Sequence, residues 1–218
     1  MEHYYAARAG EYDRIYLKPE RQADLRAIEA WLPDVFAGDR LLEIACGTGY
    51  WTAFLAPVCT SITAIDLADE TLQIARARPQ NRAVDFRLGD AYALPVELDR
   101  YPSAFAGFWI SHVPRSRLPA FFAGLHRHLE PGATVVLLDN LYVPGSSTPL
   151  TRSDEEGNTW QTRQLADGRA FEVLKNFPDR AQLRAALPDP VEDDEWREWS
   201  YYWAYRYRLG TSASRPDR

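Results

Sequence analysis

Leu41-Leu42-Glu43-Ile44-Ala45-Cys46-Gly47-Thr48-Gly49-Tyr50-Trp51 decides the fold. It opens as an apolar run of the kind buried in a sheet, breaks at two glycines spaced two apart, and re-enters as a helix. Such a turn directs backbone N–H groups outward at a helix N-terminus, and glycine lets a ligand come close to that backbone. Doubly wound α/β proteins hold nucleotide-like ligands at this kind of turn.

On either side the pattern alternates. Tyr5, Ala9, Tyr12 and Tyr16 recur at helical spacing over residues 2–17, and Pro19 opens a second amphipathic segment that runs to Phe36. Strands are expected at Arg40–Cys46, Ser61–Asp66, Val84–Leu88, Ala104–Ile110 and Thr134–Asp139. Helices are expected at Tyr50–Ala56, at Asp69–Arg78 with Asp69 as N-cap, and from Pro114 to about Leu129. The run Thr134-Val135-Val136-Leu137-Leu138 suits a strand buried on both faces, and the alternation predicts a parallel sheet with helices on both sides.

After Asp139 the alternation stops. Residues 140–157 read as a long loop, Thr159–Leu165 and Ala170–Asn176 as a hairpin turned at Asp167-Gly168, and Pro178–Leu187 as a short helix. Trp196–Arg208 alternates so that Trp199, Tyr201, Trp203, Tyr205 and Tyr207 share a face, which predicts antiparallel C-terminal strand material. The expected organisation is one α/β domain over residues 1–210 with a mostly parallel, seven-stranded, Rossmann-like sheet. Within it, 1–37 form a helical cap, 38–139 a ligand-binding core, 140–176 an insertion able to act as a lid, and 177–210 the closing helix and strands. The tail from Thr211 is expected to be disordered.

Composition bounds the function. The 218 residues carry 25 basic and 31 acidic side chains, a net charge of −6, so the basic footprint of a nucleic-acid binder is missing. Only Cys46 and Cys59 occur, outside any metal-ligating or redox spacing, which fits reduced thiols in the cytoplasm. No signal peptide and no apolar run long enough for a bilayer are seen. The acidic runs Asp154-Glu155-Glu156 and Glu192–Glu195 read as solvated loops, and no metal site is expected. Oligomeric state is left open between monomer and homodimer.

Which ligand the turn holds follows from the residues around it. A dinucleotide fingerprint needs a third glycine, and Thr52 stands in its place. Glu43, inside the first strand, would repel a pyrophosphate but suits a ligand with a cationic amine. Asp66 ends the second strand, where it can accept hydrogen bonds from two ribose hydroxyls. Asp90 follows the third strand, within reach of the exocyclic amine of an adenine. One acid for an amine, one for a ribose and one for a base describe S-adenosylmethionine better than NAD.

At these residues the chain resembles the class I S-adenosylmethionine-dependent methyltransferases of small-molecule type. The resemblance rests on Glu43–Gly49, Asp66, Gly89-Asp90-Ala91, and Phe105–Ser111 followed by His112-Val113-Pro114. It implies that the turn with Ala45, Gly47 and Gly49 supports the methionine portion, that Asp66 binds ribose, that Asp90 sits near adenine, and that Leu67 and Ala91 sandwich the ring. It also implies that the N-terminal tyrosines, Tyr12 and Tyr16, fold over the cofactor. The fourth strand lacks the motif of relatives that methylate nucleic acids or protein glutamine, which leaves a small molecule as acceptor. Trp109, His112, Asn158, Trp160 and Arg163 are candidate acceptor contacts. His112 is also a candidate general base, or alternatively a side chain that shapes the pocket or caps the next helix. An NAD(P)-dependent oxidoreductase on the same turn, lacking any Tyr-x-x-x-Lys pair, is the runner-up. A protein that binds S-adenosylmethionine without turnover is the third reading.

Overall fold

The structure is a computed structural model that describes residues 9–81, 84–95, 97–165 and 167–211. Strands β1 (Arg40–Ile44), β2 (Ser61–Asp66), β3 (Asp85–Leu88), β4 (Tyr101–Gly107) and β5 (Leu129–Asn140) are followed by β6 (Arg152–Ser153), β7 (Thr159–Gln164) and β8 (Ala170–Leu174), then by β9 (Val191–Glu198) and β10 (Tyr202–Leu209). Seven of them form one sheet in the order β3-β2-β1-β4-β5-β10-β9. β1 to β5 pair in parallel, and β10 joins antiparallel to both β5 and β9.

The period-2 alternation of strand side chains sets two cores. Leu42, Ile44, Val135 and Leu137 point to one face, where they meet Leu118, Phe121, Phe122 and Leu125 of α4 (Leu118–His126). Leu41, Phe105, Val136 and Leu138 point to the other, covered by α1 (Gln22–Phe36) through Leu25, Ile28, Leu32 and Phe36, all at 0% exposure. Both faces are therefore dry, and that explains strands with no polar face. The remaining helices are α2 (Thr52–Leu55), α3 (Asp69–Ala77) and α5 (Arg180–Ala186).

Several expectations shift. The cap segment Ala9–Leu17 is a 3-10 helix, and what precedes residue 9 lies outside the described residues, as does the tail from 212. Asp69 does not cap α3: Ala68 holds the N-cap position without a side-chain bond, and Asp66 accepts from the Ala68 N–H (3.0 Å) and the Thr71 hydroxyl (3.0 Å) instead. β4 begins and ends three residues earlier than expected, because the chain leaves the sheet at Phe108, whose φ is +57°. The C-terminal aromatic stretch is two strands and a turn. Trp203, Tyr205 and Tyr207 share a face, whereas Trp199 and Tyr201 fall in the connection and pack on the opposite core.

The insertion is more structured than a loop and hairpin. β6, β7 and β8 make a separate three-stranded antiparallel sheet beyond the C-terminal end of β5. It is tied to the main sheet by a buried ion pair, Lys175 Nζ to Asp139 Oδ1 at 2.9 Å, with Ser111 Oγ accepting from the same ammonium at 2.5 Å. Asn176 N–H donating to Ser111 O (2.7 Å) completes the seam.

Candidate active site

Sheet order reverses between β1 and β4, and the crevice beyond their C-terminal ends is where this topology binds ligands. The turn after β1 is built from alternating left-handed residues: Ala45 (φ +53°), Gly47 (φ +57°) and Gly49 (φ +71°). Glycine carries that conformation without penalty at two of the positions; Ala45 holds it under strain, as residues at binding sites often do. Asp66 Oδ2 accepts from Gly47 N–H (2.8 Å), so the second-strand acid fixes the turn. With three hydrogen bonds already accepted, the carboxylate has room for one ribose hydroxyl at most, and not the two expected from the sequence. Burial raises the Asp66 pKa, and its bonds from Ala68, Gly47 and Thr71 oppose the rise.

Glu43 lies beneath the turn at 2% exposure. Its Oε2 accepts from Thr52 Oγ1 (2.7 Å), and burial pushes its carboxyl up to about 8. Thr52 thus fills the place of the dinucleotide glycine with a side chain that the acid needs, which disfavours the oxidoreductase alternative. The cap closes over this turn: Thr48 Oγ1 donates to Asp13 Oδ1 (2.6 Å), and Arg78 bridges Thr48 O (2.7 Å) and Asp13.

Two cavities open above the crevice. The first, about 240 Å³, runs along the strand ends past Ala45, Gly47, Asp66, Leu67, Asp90 and Ala91. Gly107 forms part of its wall, where a Cβ would stand 2.8 Å from the Phe105 ring, so only glycine keeps that wall flat. Asp90 is oriented by its own turn, Oδ1 accepting from Tyr92 N–H at 2.9 Å. Trp109 also lines it, packed on Tyr92 and Phe121, with its indole N–H buried and unpartnered. Two acids, a glycine turn and an apolar slot between Leu67 and Ala91 fit an amino-acid-bearing nucleoside.

The second cavity, about 350 Å³, lies between the cap, the loop after β5 and the insertion sheet. Tyr12, Phe108 and His112 line both, so the two spaces share a wall. Tyr16 faces this second space, stacked on Tyr50 at 3.7 Å, and not the first; the sequence had grouped it with the cofactor. Arg163 also lines the second space, its guanidinium donating to Gln161 Oε1 at 3.0 Å.

Asn158 and Trp160 are corrections. Asn158 is 3% exposed and its amide oxygen accepts from Arg115 N–H (2.8 Å) and Asn176 Nδ2 (3.1 Å), which holds a loop together rather than facing either cavity. Trp160 carries the Arg152 guanidinium on its ring at 3.6 Å and lines neither space. His112 is in a 3-10 turn, Ile110–His112, not at a strand end. Its Nδ1 lies 2.7 Å from Leu174 O, and burial, with Lys175 and Arg163 nearby, pushes its pKa well below the ordinary imidazole value.

Lys18, Arg21 and Lys175, which also line the second cavity, were missed. A signal for Lys175 was present, a lysine following the apolar pair Val173-Leu174, as was its partner Asp139 closing the run from Thr134. Among the described residues no cluster of three or more metal-ligating side chains occurs, and no helix is long and apolar enough to cross a membrane.

Residues 41–132 match a family profile described as a methyltransferase domain. The chain is 33% identical over 126 residues to a 2-phytyl-1,4-naphtoquinone methyltransferase of Synechococcus elongatus, covering 55% of this chain and 52% of the relative. It is 32% identical over 149 residues to a malonyl-[acyl-carrier protein] O-methyltransferase of Serratia marcescens, covering 68% and 52%. The chain thus spans about half the length of the curated relatives it matches. A DhpI–SAH complex superposes with a TM-score of 0.76 at 28% identity, over 95% of this chain and 94% of that one. With the glycine turn, the strand-end acids and the sheet order in place, residues 41–132 are a methyltransferase domain, and the chain as a whole is similar to the class I S-adenosylmethionine-dependent methyltransferases.

Proposed function

We propose that this protein transfers a methyl group from S-adenosylmethionine to a small molecule, with the cofactor in the strand-end cavity and the acceptor in the cavity beside it. The observation that carries the reading is the shared wall of Tyr12, Phe108 and His112, where an acceptor in one space comes beside a ligand in the other. Bound there, the cofactor supplies an electrophilic methyl on a cationic sulfur. The protein's part is placement. Asp66 and Asp90 set the nucleoside, the turn Ala45–Gly49 seats the amino-acid end, and Leu67 and Ala91 hold the base between them. Glu43 acts from beneath through Thr52 and the turn.

Holding two reactants in line is worth about 7–11 kcal/mol of barrier, so positioning by itself does most of the work. His112 is neutral at working pH and a weak proton acceptor, and its role here is to orient the acceptor across the shared wall. Residues 1–210 act as one domain, with the 140–176 insertion as the lid of the acceptor space. Two free thiols, Cys46 buried and Cys59 half-buried, support a reducing, cytoplasmic setting.

Thermal unfolding with a ligand panel tests the reading. S-adenosylhomocysteine is expected to raise the melting temperature, NADH and NADPH to leave it unchanged, and Asp66→Ala to abolish the rise. Stabilisation by a nicotinamide cofactor alone would overturn it.

A further inference from the structure

The acceptor cavity is lined by five basic side chains, Arg14, Lys18, Arg21, Arg163 and Lys175, and among the described residues by no carboxylate. Its chain is acidic overall, 31 acidic residues against 25 basic, so this concentration runs against the average of the molecule. The basic groups come from unrelated segments: the cap, β7 and the end of β8.

Lys175 has a counter-charge, Asp139, behind it. Lys18 and Arg21 do not: among the described residues no carboxylate stands within 4 Å of either. Arg21 is only 5% exposed, yet neutral groups hold it, with Ser146 Oγ accepting from Nε (3.0 Å) and Asn140 Oδ1 from Nη1 (2.9 Å). Its guanidinium lies over the rings of Tyr201 and Tyr202 at 5.0 and 5.5 Å. The Lys18 ammonium donates to the Ser146 carbonyl. Glu20 of the cap is exposed and accepts from Ser146 Oγ (2.8 Å), so its charge acts on Lys18 and Arg21 only from beyond ion-pair distance.

A buried cation without a counter-ion is costly unless something supplies one. The strain shows on the neighbours: burial and then Arg21 lower the Lys18 pKa, and Lys175 and Arg163 add to the burial that lowers that of His112. An anion entering the cavity would relieve all of these at once.

We infer that the methyl acceptor is a small molecule bearing a compact oxyanion, such as a phosphonate, phosphate or carboxylate, held by Arg21 and Lys18, with Arg163 and the buried Lys175 adding positive charge to the same space. The inference rests on the methyl-transfer reading above and names the substrate class of that site. Arginine suits such a group because its planar fork meets two oxygens together, and lysine adds a point charge. A long isoprenoid acceptor, of the sort named for the Synechococcus relative, would leave Arg21 buried and held by neutral groups alone.

Calorimetric titration of the full chain tests this, first with S-adenosylhomocysteine and then, on the loaded protein, with methylphosphonate, acetate and the uncharged dimethyl methylphosphonate. At least one of the two anions is expected to bind about tenfold or more tightly than the neutral ester, and to weaken as sodium chloride rises. Arg21→Gln is expected to weaken that anion about tenfold while S-adenosylhomocysteine stays within about twofold. Lys18→Gln, at a half-buried site, serves the same purpose if the first variant does not fold. Equal binding of ester and anions, or no loss in either variant, overturns the inference. Failure of S-adenosylhomocysteine to bind overturns the reading beneath it, and the anion titration on the unloaded protein then still reports on the cavity by itself.

Discussion

The two cavities share three residues and differ in almost everything else. The cofactor side is bordered by acids, Asp66 and Asp90 on the wall and Glu43 below; the acceptor side is bordered by bases. The acids stand at the ends of adjacent parallel strands, in a framework whose register is fixed by the ladder from β3 to β4. The bases hang on the cap and the insertion sheet, and reach the same space only because those segments fold toward one another. The contrast separates a constant part from a variable one. A sheet edge can hold the same ligand through many sequences, whereas the peripheral segments decide what that ligand meets. Opposite polarity would also keep an oxyanion acceptor out of the cofactor space, since the acid-lined side repels it.

Three measurements break or sharpen that contrast. The largest effect is expected from Lys175→Met. It leaves Asp139, at 0% exposure, as a buried charge with no counter-ion and should destabilise the protein by about 3–5 kcal/mol in urea unfolding. Adding Asp139→Asn should recover much of the loss. A single-variant loss below about 1 kcal/mol would show that the insertion sheet is held by its apolar contacts and that Lys175 belongs wholly to the ligand.

A pH effect on the cofactor side is next, its change per pH unit smaller though its full span is comparable. The Glu43 carboxyl moves from 4.5 to about 8 through burial, so the folded protein keeps a proton that the unfolded chain releases. Between those values stability should fall as pH rises, by up to about 1.4 kcal/mol per unit, and level off above them. Glu43→Gln should lack this component, and the difference between the two unfolding curves isolates it. With S-adenosylhomocysteine bound, a shallower slope would mean that the cofactor's ammonium favours the carboxylate; an unchanged slope would confine Glu43 to holding Thr52.

The smallest effect is at Ala45, which holds φ +53°. A left-handed alanine is strained by about 1–2 kcal/mol, and glycine gives part of that back through the entropy of the unfolded chain. Ala45→Gly should therefore stabilise by less than about 1 kcal/mol in thermal unfolding. A loss instead would mean that the alanine methyl packs in a way that outweighs its backbone.

Much of the cofactor side was legible before any coordinates. Gly47, Gly49, Asp66 and Asp90 lie next to strands that announce themselves by apolar runs, and a parallel sheet brings successive strand ends to one edge. Asp66 showed its place but not its second task of capping α3 and pinning Gly47, because hydrogen-bond partners depend on how a side chain turns. His112 was read at a strand end because nothing in the sequence marks Phe108 as the point where β4 breaks. The family resemblance groups Tyr16 with Tyr12 over the cofactor, yet Tyr16 stacks on Tyr50 and lines the other cavity.

The sequence by itself determined the sheet, the turn and the class of cofactor, since each depends on residues close in the chain and on periodicities the backbone imposes. Only the tertiary structure decided the acceptor side. Some 150 positions of ordinary-looking sequence separate Lys18 and Arg21 from Lys175. A charge acquires meaning from what surrounds it, and for these the surroundings exist only once the cap and the insertion have closed over the same space.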